Sequence, residues 1–124
     1  KGSRMSNLTN RPIYQKGSKP SVSKPIRNAA RDATCTLNLP FVCDNMTETV
    51  VFCHLRLFNL AGIGQKPDDL FGIDACAKCH QILDNRSLWE EAGLKHEHIL
   101  WALIQSQKRR REAGLITLKG ADDE

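Results

Sequence analysis

The fold is decided by ten residues, Ala75-Cys76-Ala77-Lys78-Cys79-His80-Gln81-Ile82-Leu83-Asp84. We expect them to form a helix on which Cys76 and Cys79 share one face, because residues three or four apart are neighbours on a helix. His80 and Asp84 share a second face for the same reason. Zinc accepts thiolate ligands in closed structural sites, so the helix could hold a zinc ion on one side and an open site on the other. The alternative is that Cys79 and His80 bind the same ion.

The length and composition predict a single small domain. The chain has 124 residues, of which 40% are hydrophobic and only 6% are aromatic. A core of this size is modest, so a bound metal ion would add useful stability. The net charge of +4 is compatible with a polyanionic partner such as DNA, but it is too small to establish one.

The five cysteines favour metal binding over disulfide bonding. A secreted disulfide scaffold is expected to carry an even number of cysteines behind a signal peptide, and the sequence shows neither feature. We therefore predict a cytoplasmic protein whose thiols stay reduced. No apolar run approaches the length of about 18 residues that a membrane helix requires, so no membrane partner is expected.

Two regions of the chain differ in composition. Residues 1–24 are polar, and we expect a disordered N-terminal tail whose first four residues are an expression remnant. Residues 25–124 are expected to form the folded domain. Its first helix is predicted to follow Pro25 and to span residues 26–33, with Arg27 and Arg31 on one face. These two arginines could bind phosphates or simply face solvent.

A second pair of cysteines completes the predicted zinc site. Cys35 and Cys43 precede the helical pair, and their spacing is wider than that of the usual zinc knuckle. Together with Cys76 and Cys79 they supply the four thiolates of a tetrahedral structural zinc site. The alternative is a set of four unlinked buried thiols.

Between the two cysteine pairs, the sequence predicts a β-hairpin. Residues 48–55 are rich in β-branched and aromatic side chains, which indicates a strand, and residues 70–74 are expected to pair with it. Alternation along the first strand places His54 on the face opposite Cys53. We interpret Cys53 as a small core residue rather than a metal ligand.

The C-terminal part is predicted to be helical. A capping-box pattern at Ser87 indicates a helix that Gly93 ends, and a longer helix is expected from about Lys95 to Ala113. The basic residues 108–111 suit its C-terminal end, where the helix dipole favours cations. The apolar spacing predicts that its core-facing residues are Leu100, Leu103, Ile104 and Gln107.

Gly114 is expected to stop the long helix, and residues 115–118 are expected to form a final edge strand. The predicted fold class is therefore α+β. Its centre is a small zinc-stabilised unit of a hairpin followed by a helix, with extra helices around it.

This order of elements suits metal-assisted cleavage of a phosphodiester. His54 ends the first strand of the hairpin, and the helix that follows offers His80 and Asp84. Such cleavage requires a base that deprotonates water, and a neutral imidazole can do this near pH 7. It also requires a cation that neutralises the phosphate and the departing oxygen.

The sequence resembles the HNH (ββα-metal) nucleases, in the subtype whose helix carries Cys-x-x-Cys-His, and among them the YbcO-like family of phage and prophage nucleases. The resemblance covers roughly residues 26–118. The matching stretches are Ala29-Ala30-Arg31, Leu39-Pro40-x-Val42-Cys43, Glu48-Thr49-x-Val51, His54-Leu55-Arg56-Leu57, Gly62-x-Gly64-x-Lys66-Pro67-x-Asp69-Leu70 and Ala75-Cys76-x-x-Cys79-His80. The resemblance implies a ββα-metal core and cleavage of DNA in phage or prophage recombination or processing, inside a bacterial host cell.

The resemblance also implies roles for single residues. His54 takes the position of the general base, and His80 takes that of the histidine that binds the catalytic divalent ion. Asp69 stands near the family's middle asparagine, where an acid could orient His54 or bind the metal. Cys53 stands where many members carry a metal-binding acid. This departure leaves Asp84 and Asp69 as candidates for the second metal ligand.

On this interpretation the catalytic cofactor is magnesium or another divalent ion such as manganese, nickel or zinc, while the zinc on the four thiols is structural. The expected DNA contacts are Arg27, Arg31, Arg56 and Lys66. Arg56 follows the base along the strand and could hold the scissile phosphate or form a surface ion pair.

Two other functions are compatible with the same residues. The first is a zinc-stabilised module that binds nucleic acid or protein without catalysis. The second is a redox protein that uses Cys76 and Cys79, although this thiol pair does not follow the first strand of a βαβ pattern.

Overall fold

The computed structural model describes residues 19–56 and 67–121. Its elements are the helix α1 (Lys24–Asn28), the strands β1 (Val51–His54) and β2 (Gly72–Ala75), and the helices α2 (Ala77–Leu83), α3 (Trp89–Ala92) and α4 (His96–Glu112). Short 3₁₀ turns at Thr47–Thr49 and Arg86–Leu88 precede β1 and α3. The α+β class and the hairpin followed by a helix are therefore confirmed.

The hairpin is antiparallel and places His54 at one end of the sheet. Its register pairs Val51 with Ala75 and His54 with Gly72. The first strand is shorter than predicted because its expected beginning forms a 3₁₀ turn, in which the Thr49 hydroxyl bonds to the Asp44 carboxylate at 3.2 Å. The second strand begins later than predicted because residues 68–71 form a turn, where the Leu70 N–H donates to Asp68 Oδ1 at 2.8 Å.

The hairpin requires glycine at the position opposite His54. A Cβ atom at Gly72 would lie 2.3 Å from Cζ of Phe52, whose ring covers this part of the neighbouring strand. The guanidinium of Arg110, a residue of α4, lies 4.7 Å from the centre of the same Phe52 ring. Phe52 also meets the His54 ring edge-on, with ring centres 5.2 Å apart. The absent side chain at Gly72 thus makes room for the aromatic contact beside His54.

The core joins both strands to α2, α4 and the cysteine-bearing loop. Cys53 is among its buried residues, as predicted, and Ile73 and Ala75 face inward from β2. Burial raises the pKa of the Cys53 thiol to about 12. The remaining core members that are nearly inaccessible to solvent include Ala30, Leu37, Leu39, Val50, Leu94, Ile99 and Ala102.

The first helix is shorter than predicted. Ser23 caps it by accepting the Ile26 N–H at 3.3 Å, and the helix ends at Asn28. Arg31 lies in the following turn, next to Asp32 with φ +58°, so Arg27 and Arg31 do not share a helical face as expected. The segment just before the helix, at the end of the predicted tail, contacts the domain. Residues 1–18 lie outside the described residues.

The third helix and the last segment also differ from expectation. A 3₁₀ turn replaces the predicted capping box, because Ser87 Oγ bonds to Asn85 Oδ1 at 3.3 Å instead of capping a helix. Gly93, with φ +78°, ends α3 as predicted. Residues 115–118 do not form the expected strand, since Leu115 and Ile116 both donate their N–H groups back to the Arg110 carbonyl.

On the long helix, the prediction of the core-facing residues was correct for two of the four and wrong for Leu100 and Ile104. Leu103 packs against the core, and Nε2 of Gln107 donates to the Leu70 carbonyl at 2.7 Å. The helix runs from His96 to Glu112 and is followed by Gly114 at φ +78°, as expected. Its buried residues are Ile99, Ala102, Ser106 and Arg110, whereas Leu100 and Ile104 are exposed. Polar bonds determine this rotation, because Ser106 and Arg110 both bond to Asp74 of β2. None of the helices in the described ranges combines the length and the hydrophobicity that a membrane span requires.

Candidate functional site

Four cysteine sulfur atoms meet where the hairpin, α2 and the preceding loop join. The ligand atoms of Cys35, Cys43, Cys76 and Cys79 all lie within 4.8 Å of one another. Cys76 is the N-cap of α2, and its sulfur accepts the Cys79 N–H at 3.4 Å, so the beginning of the helix positions both thiols. The loop thiols are positioned by a turn in which the Val42 and Cys43 N–H groups bond to the Leu39 carbonyl.

The geometry of this cluster fits a structural zinc ion. Thiolates bound to zinc at about 2.3 Å in a tetrahedron lie about 3.8 Å apart. The sulfur atoms of Cys76 and Cys43 are 3.7 Å apart. The hydrogen bond from Cys79 lowers the pKa of the Cys35 thiol to about 5, although burial opposes this shift. Burial raises the pKa of Cys43 to about 11. A divalent cation bound among these sulfur atoms would stabilise their thiolate forms.

On the hairpin, His54 is bonded to Asp69. Its Nε2 atom lies 2.7 Å from Asp69 Oδ1, and the ring is largely but not fully buried. The other carboxylate oxygen accepts the Ser23 N–H at 2.7 Å and is 2.6 Å from Nη1 of Arg27. The backbone N–H of Asp69 donates to the Ser21 carbonyl at 2.8 Å. Segment 21–27 therefore fixes the acid that contacts His54.

Asp69 is held in its ionised form. Burial alone would raise the pKa of this carboxyl group, but hydrogen bonds from Ser23, His54 and Arg27 together lower the pKa below its usual value. An ionised carboxylate can only accept hydrogen bonds. Nε2 of His54 must therefore donate to Asp69, which leaves Nδ1 of a neutral ring with a free lone pair.

His80 lies outside the thiol cluster and contacts Asp84 instead. The two residues are one helical turn apart on α2, and His80 Nε2 is 2.9 Å from Asp84 Oδ2. Both side chains are partly accessible to solvent. The helix thus presents thiols on one side and an imidazole–carboxylate pair on the other.

A cavity of about 170 Å³ lies between His54 of the hairpin and Asp84 at the end of α2. Its lining brings together residues from β1, α2 and α3 that are far apart in the sequence: His54, Leu55, Arg56, Leu83, Asp84, Arg86 and Trp89. The cavity joins the predicted base to the acid that pairs with His80. It also places Arg56 at the same opening.

Arg86 is the cavity residue that the sequence interpretation missed. Its guanidinium carbon lies 4.5 Å from the centre of the Trp89 ring. Trp89 is in turn fixed by its indole N–H, which donates to the Leu83 carbonyl at 3.2 Å. The signal in the sequence was a cation three residues before a tryptophan, a spacing that brings two side chains together on a helix.

The other predicted DNA contacts lie elsewhere. Arg31 is exposed on the turn after α1, and Arg27 is paired with Asp69. Lys66 lies outside the described residues. In the described ranges, no acidic side chain forms an ion pair with Arg31, Arg56 or Arg86.

These features define a small α+β protein in which four cysteines, suited to a structural zinc ion, tie a β-hairpin to the helix that follows it. A model of the family described as "Putative nuclease YbcO" matches residues 24–115. The chain belongs to this YbcO family.

Similar proteins support the same assignment. "Putative nuclease YbcO" of Escherichia coli (strain K12) and "Putative nuclease ybcO" of Enterobacteria phage 82 are each 37% identical to this chain over 91 residues, which is 73% of this chain and 95% of each relative. A solved structure, "Structure of a putative bacteriophage protein from Escherichia coli str. K-12 substr. MG1655", is 33% identical with a TM-score of 0.59. The match covers 73% of this chain and all of that one.

Proposed function

We propose that this protein is a metal-dependent endonuclease of the HNH type that hydrolyses phosphodiester bonds in DNA. The observation that carries the proposal is the cavity that joins His54, held by Asp69, to Asp84, which is paired with His80. The nuclease names of the relatives support this function, and the relative from phage 82 supports a role in phage or prophage DNA processing.

In the proposed reaction, His54 is the general base. Because Nε2–H of His54 donates a hydrogen bond to Asp69, the unprotonated Nδ1 can take a proton from water. The oxygen of that water forms a new bond to phosphorus while the bond from phosphorus to the 3′ oxygen breaks. General bases positioned in this way typically contribute about 10²–10⁴-fold to a rate. Asp69 acts as a positioning residue, and the guanidinium of Arg27 compensates the negative charge of Asp69.

His80 and Asp84 fit the second requirement of the reaction. Two ligands on neighbouring positions of an octahedral ion, at about 2.1 Å each, lie about 3 Å apart. His80 Nε2 and Asp84 Oδ2 are 2.9 Å apart and partly exposed, so they can converge on one divalent ion. An ion bound there would supply positive charge for the phosphate and the departing 3′ oxygen. Magnesium, manganese or a later transition ion is compatible with this donor pair.

Arg56 and Arg86 are proposed to bind the DNA backbone at the cavity. Both guanidinium groups are exposed and line the cavity. Arginine binds phosphate through charge-assisted hydrogen bonds, and the planar guanidinium can offer two parallel donors. We retain Arg31 and Lys66 as proposed DNA contacts. Arg27 is reassigned from DNA binding to the support of Asp69.

The test is cleavage of supercoiled and branched DNA by the purified protein with magnesium or manganese. We expect wild-type protein to cut, and we expect His54→Gln to lose at least about 100-fold in rate. His80→Gln and Asp84→Asn should also lose activity and should change its dependence on metal concentration. His98→Gln is the matched control, because His98 caps α4 and does not line the cavity.

Two outcomes would overturn the proposal. If wild-type protein with intact zinc binds DNA but leaves every substrate uncut, the protein is a zinc-stabilised binding module. If His54→Gln cuts as fast as wild type, His54 is not the general base. Circular dichroism and zinc content of each variant separate these outcomes from loss of folding.

A further inference from the structure

An apolar stripe on α4 faces solvent, away from the core. Leu100, Trp101 and Ile104 are 58%, 60% and 48% exposed, although they are the kind of side chains that folding usually buries. Their spacing places them on one side of the helix. Two exposed charged residues, Glu97 and Lys108, extend the same stripe at its two ends. The stripe is therefore acidic at the beginning, apolar in the middle and basic at the end.

This arrangement is complementary to itself. If a second copy of α4 lies antiparallel to the first, with the two-fold axis passing between Ala102 and Leu103, each Trp101 faces Ile104 of the other copy. The same register brings each Glu97 opposite Lys108 of the other copy. The two charges are eleven residues apart on the helix, or about 16 Å along its axis, so both ion pairs form at once outside the apolar centre.

We infer that the stripe of Glu97, Leu100, Trp101, Ile104 and Lys108 is the interface of a two-fold symmetric homodimer. A two-fold interface uses one patch that is complementary to itself, and this stripe has that property in both charge and hydrophobicity. In the described ranges neither Glu97 nor Lys108 has an ion-pair partner within its own chain, so both remain available to a second copy.

The interface is independent of the proposed nuclease site. The residues that line the cavity come from β1, from α2 and from the segment that contains α3, and none belongs to α4. The proposed interface therefore uses none of the residues that line the cavity. An interface built on one helix pair is smaller than the standard interface of about 800 Å² per partner, so we expect association in the micromolar range.

The experiment is sedimentation equilibrium of the zinc-loaded protein at concentrations from about 5 to 500 μM. We expect wild type to be a dimer at the upper end and Trp101→Glu to be monomeric throughout. Glu97→Lys and Lys108→Glu should each weaken the dimer at least about tenfold, since each places like charges opposite one another twice. The double variant E97K/K108E should recover most of the affinity, because the opposite charges face each other again.

The matched control is Glu91→Lys, an equal charge change on the exposed surface of α3, which should leave the dimer unchanged. The inference would be overturned if the wild-type protein stayed monomeric at the upper end of the series, about 500 μM. A dimer that is insensitive to Trp101→Glu would also overturn it, because association would then use another surface. If the double variant stays as weak as the single variants, the antiparallel register is wrong.

Discussion

Asp74 of β2 and Arg110 of α4 form a buried, two-pronged ion pair. Nη2 of Arg110 is 2.6 Å from one carboxylate oxygen of Asp74 and Nη1 is 2.9 Å from the other, and both side chains are nearly inaccessible to solvent. Arg109 adds a third contact at 3.1 Å. Because the Arg110 guanidinium also lies over Phe52, this pair connects α4 to both strands of the hairpin that carries His54.

Breaking this pair should destabilise the domain strongly. Asp74→Asn leaves the Arg110 charge buried without its counter-ion, and the loss of one partner from a buried pair costs about 3–5 kcal/mol. Urea denaturation of the zinc-loaded protein measures the effect. The double variant D74L/R110M removes both charges and should be more stable than Asp74→Asn. A loss below about 1 kcal/mol in Asp74→Asn would show that the pair is not essential to the packing of α4.

The thiol cluster predicts that substitutions at Cys43 and Cys53 differ sharply in their effect on zinc content. Cys43→Ser removes one of the four sulfur ligands, so we expect zinc content to fall from one ion per chain towards zero and thermal stability to drop with it. Cys53→Ala is the matched control, since Cys53 is buried in the core but is not part of the cluster. It should lose some stability and keep its zinc. Metal analysis by mass spectrometry after gel filtration checks both expectations.

An unchanged zinc content in Cys43→Ser would contradict the four-thiol site. The same result would follow if His80 replaced the missing sulfur, so the variant Cys43→Ser/His80→Ala distinguishes the two cases. In the structure His80 contacts Asp84 and lies outside the cluster, so the double variant should behave like the single one.

The sequence predicted the cluster of four cysteines and the hairpin but not the rotation of α4. Cysteine spacing and the position of His54 are local patterns, and their chemistry restricts the folds they can join. The core-facing side of α4 depends on Asp74, which lies more than thirty residues earlier and binds Arg110 only after the chain has folded. In the sequence, Arg110 looks like one cation in a surface run, and apolar spacing favours Leu100 and Ile104 as core residues.

The residues of the candidate site differ in the same way in how far the sequence could identify them. His54, Asp69 and His80 could be recognised as candidates because the family resemblance gives their order. The contact of Asp69 with Ser23 and Arg27 could not be predicted, since residues 21–24 have the composition of a flexible tail and Arg27 was expected on a solvent-facing or DNA-binding surface. Arg86 was missed because an arginine three residues before a tryptophan is a weak signal until the cavity is placed beside the pair.

Asp69 predicts a specific dependence of stability on pH. Its pKa is lower in the folded protein than the usual value of about 4 for an unfolded chain, so the unfolded state binds more protons between these two values. The contribution of Asp69 to stability is therefore complete above about pH 5 and is lost as the pH falls through the folded pKa. Asp69→Asn should abolish this part of the acid dependence.

The measurement is chemical denaturation of wild type and Asp69→Asn at several pH values between about 3 and 7. Because other carboxyl groups titrate in both proteins, the difference between the two curves isolates Asp69. We expect the difference to shrink as the pH falls. A difference that is constant over the whole range would mean that the contacts with Ser23, His54 and Arg27 do not depend on the charge of Asp69.

Gly72 predicts a steric effect on the hairpin. Gly72→Ala places a methyl group against the Phe52 ring, so either the ring or the strand must move, and we expect a loss of about 1–3 kcal/mol. Phe52→Leu in the same protein should relieve the clash, and a double-mutant cycle measures the coupling between the two positions. If the two changes are additive, the ring does not occupy the space above Gly72.

Arg86 predicts a change in function without a change in stability. Its guanidinium lies over Trp89 at the cavity, and in the described ranges no carboxylate pairs with it, so a phosphate is a suitable anionic partner. A hydrogen bond to a charged group contributes about 1.5–3 kcal/mol, which corresponds to roughly 10- to 150-fold in kcat/KM. Arg86→Ala should lose activity in this range, mainly through KM, and should bind DNA with a weaker dependence on salt.

The melting temperature of Arg86→Ala should change little, because an exposed cation over an aromatic ring contributes only about 0.5–1 kcal/mol. Arg86→Lys keeps the charge but loses the planar pair of donors, so it should recover part of the activity. Lys119→Ala is the matched control, since it removes an exposed cation that does not line the cavity. If Arg86→Ala cuts and binds DNA like Lys119→Ala, then Arg86 only covers Trp89, and Arg56 alone holds the phosphate.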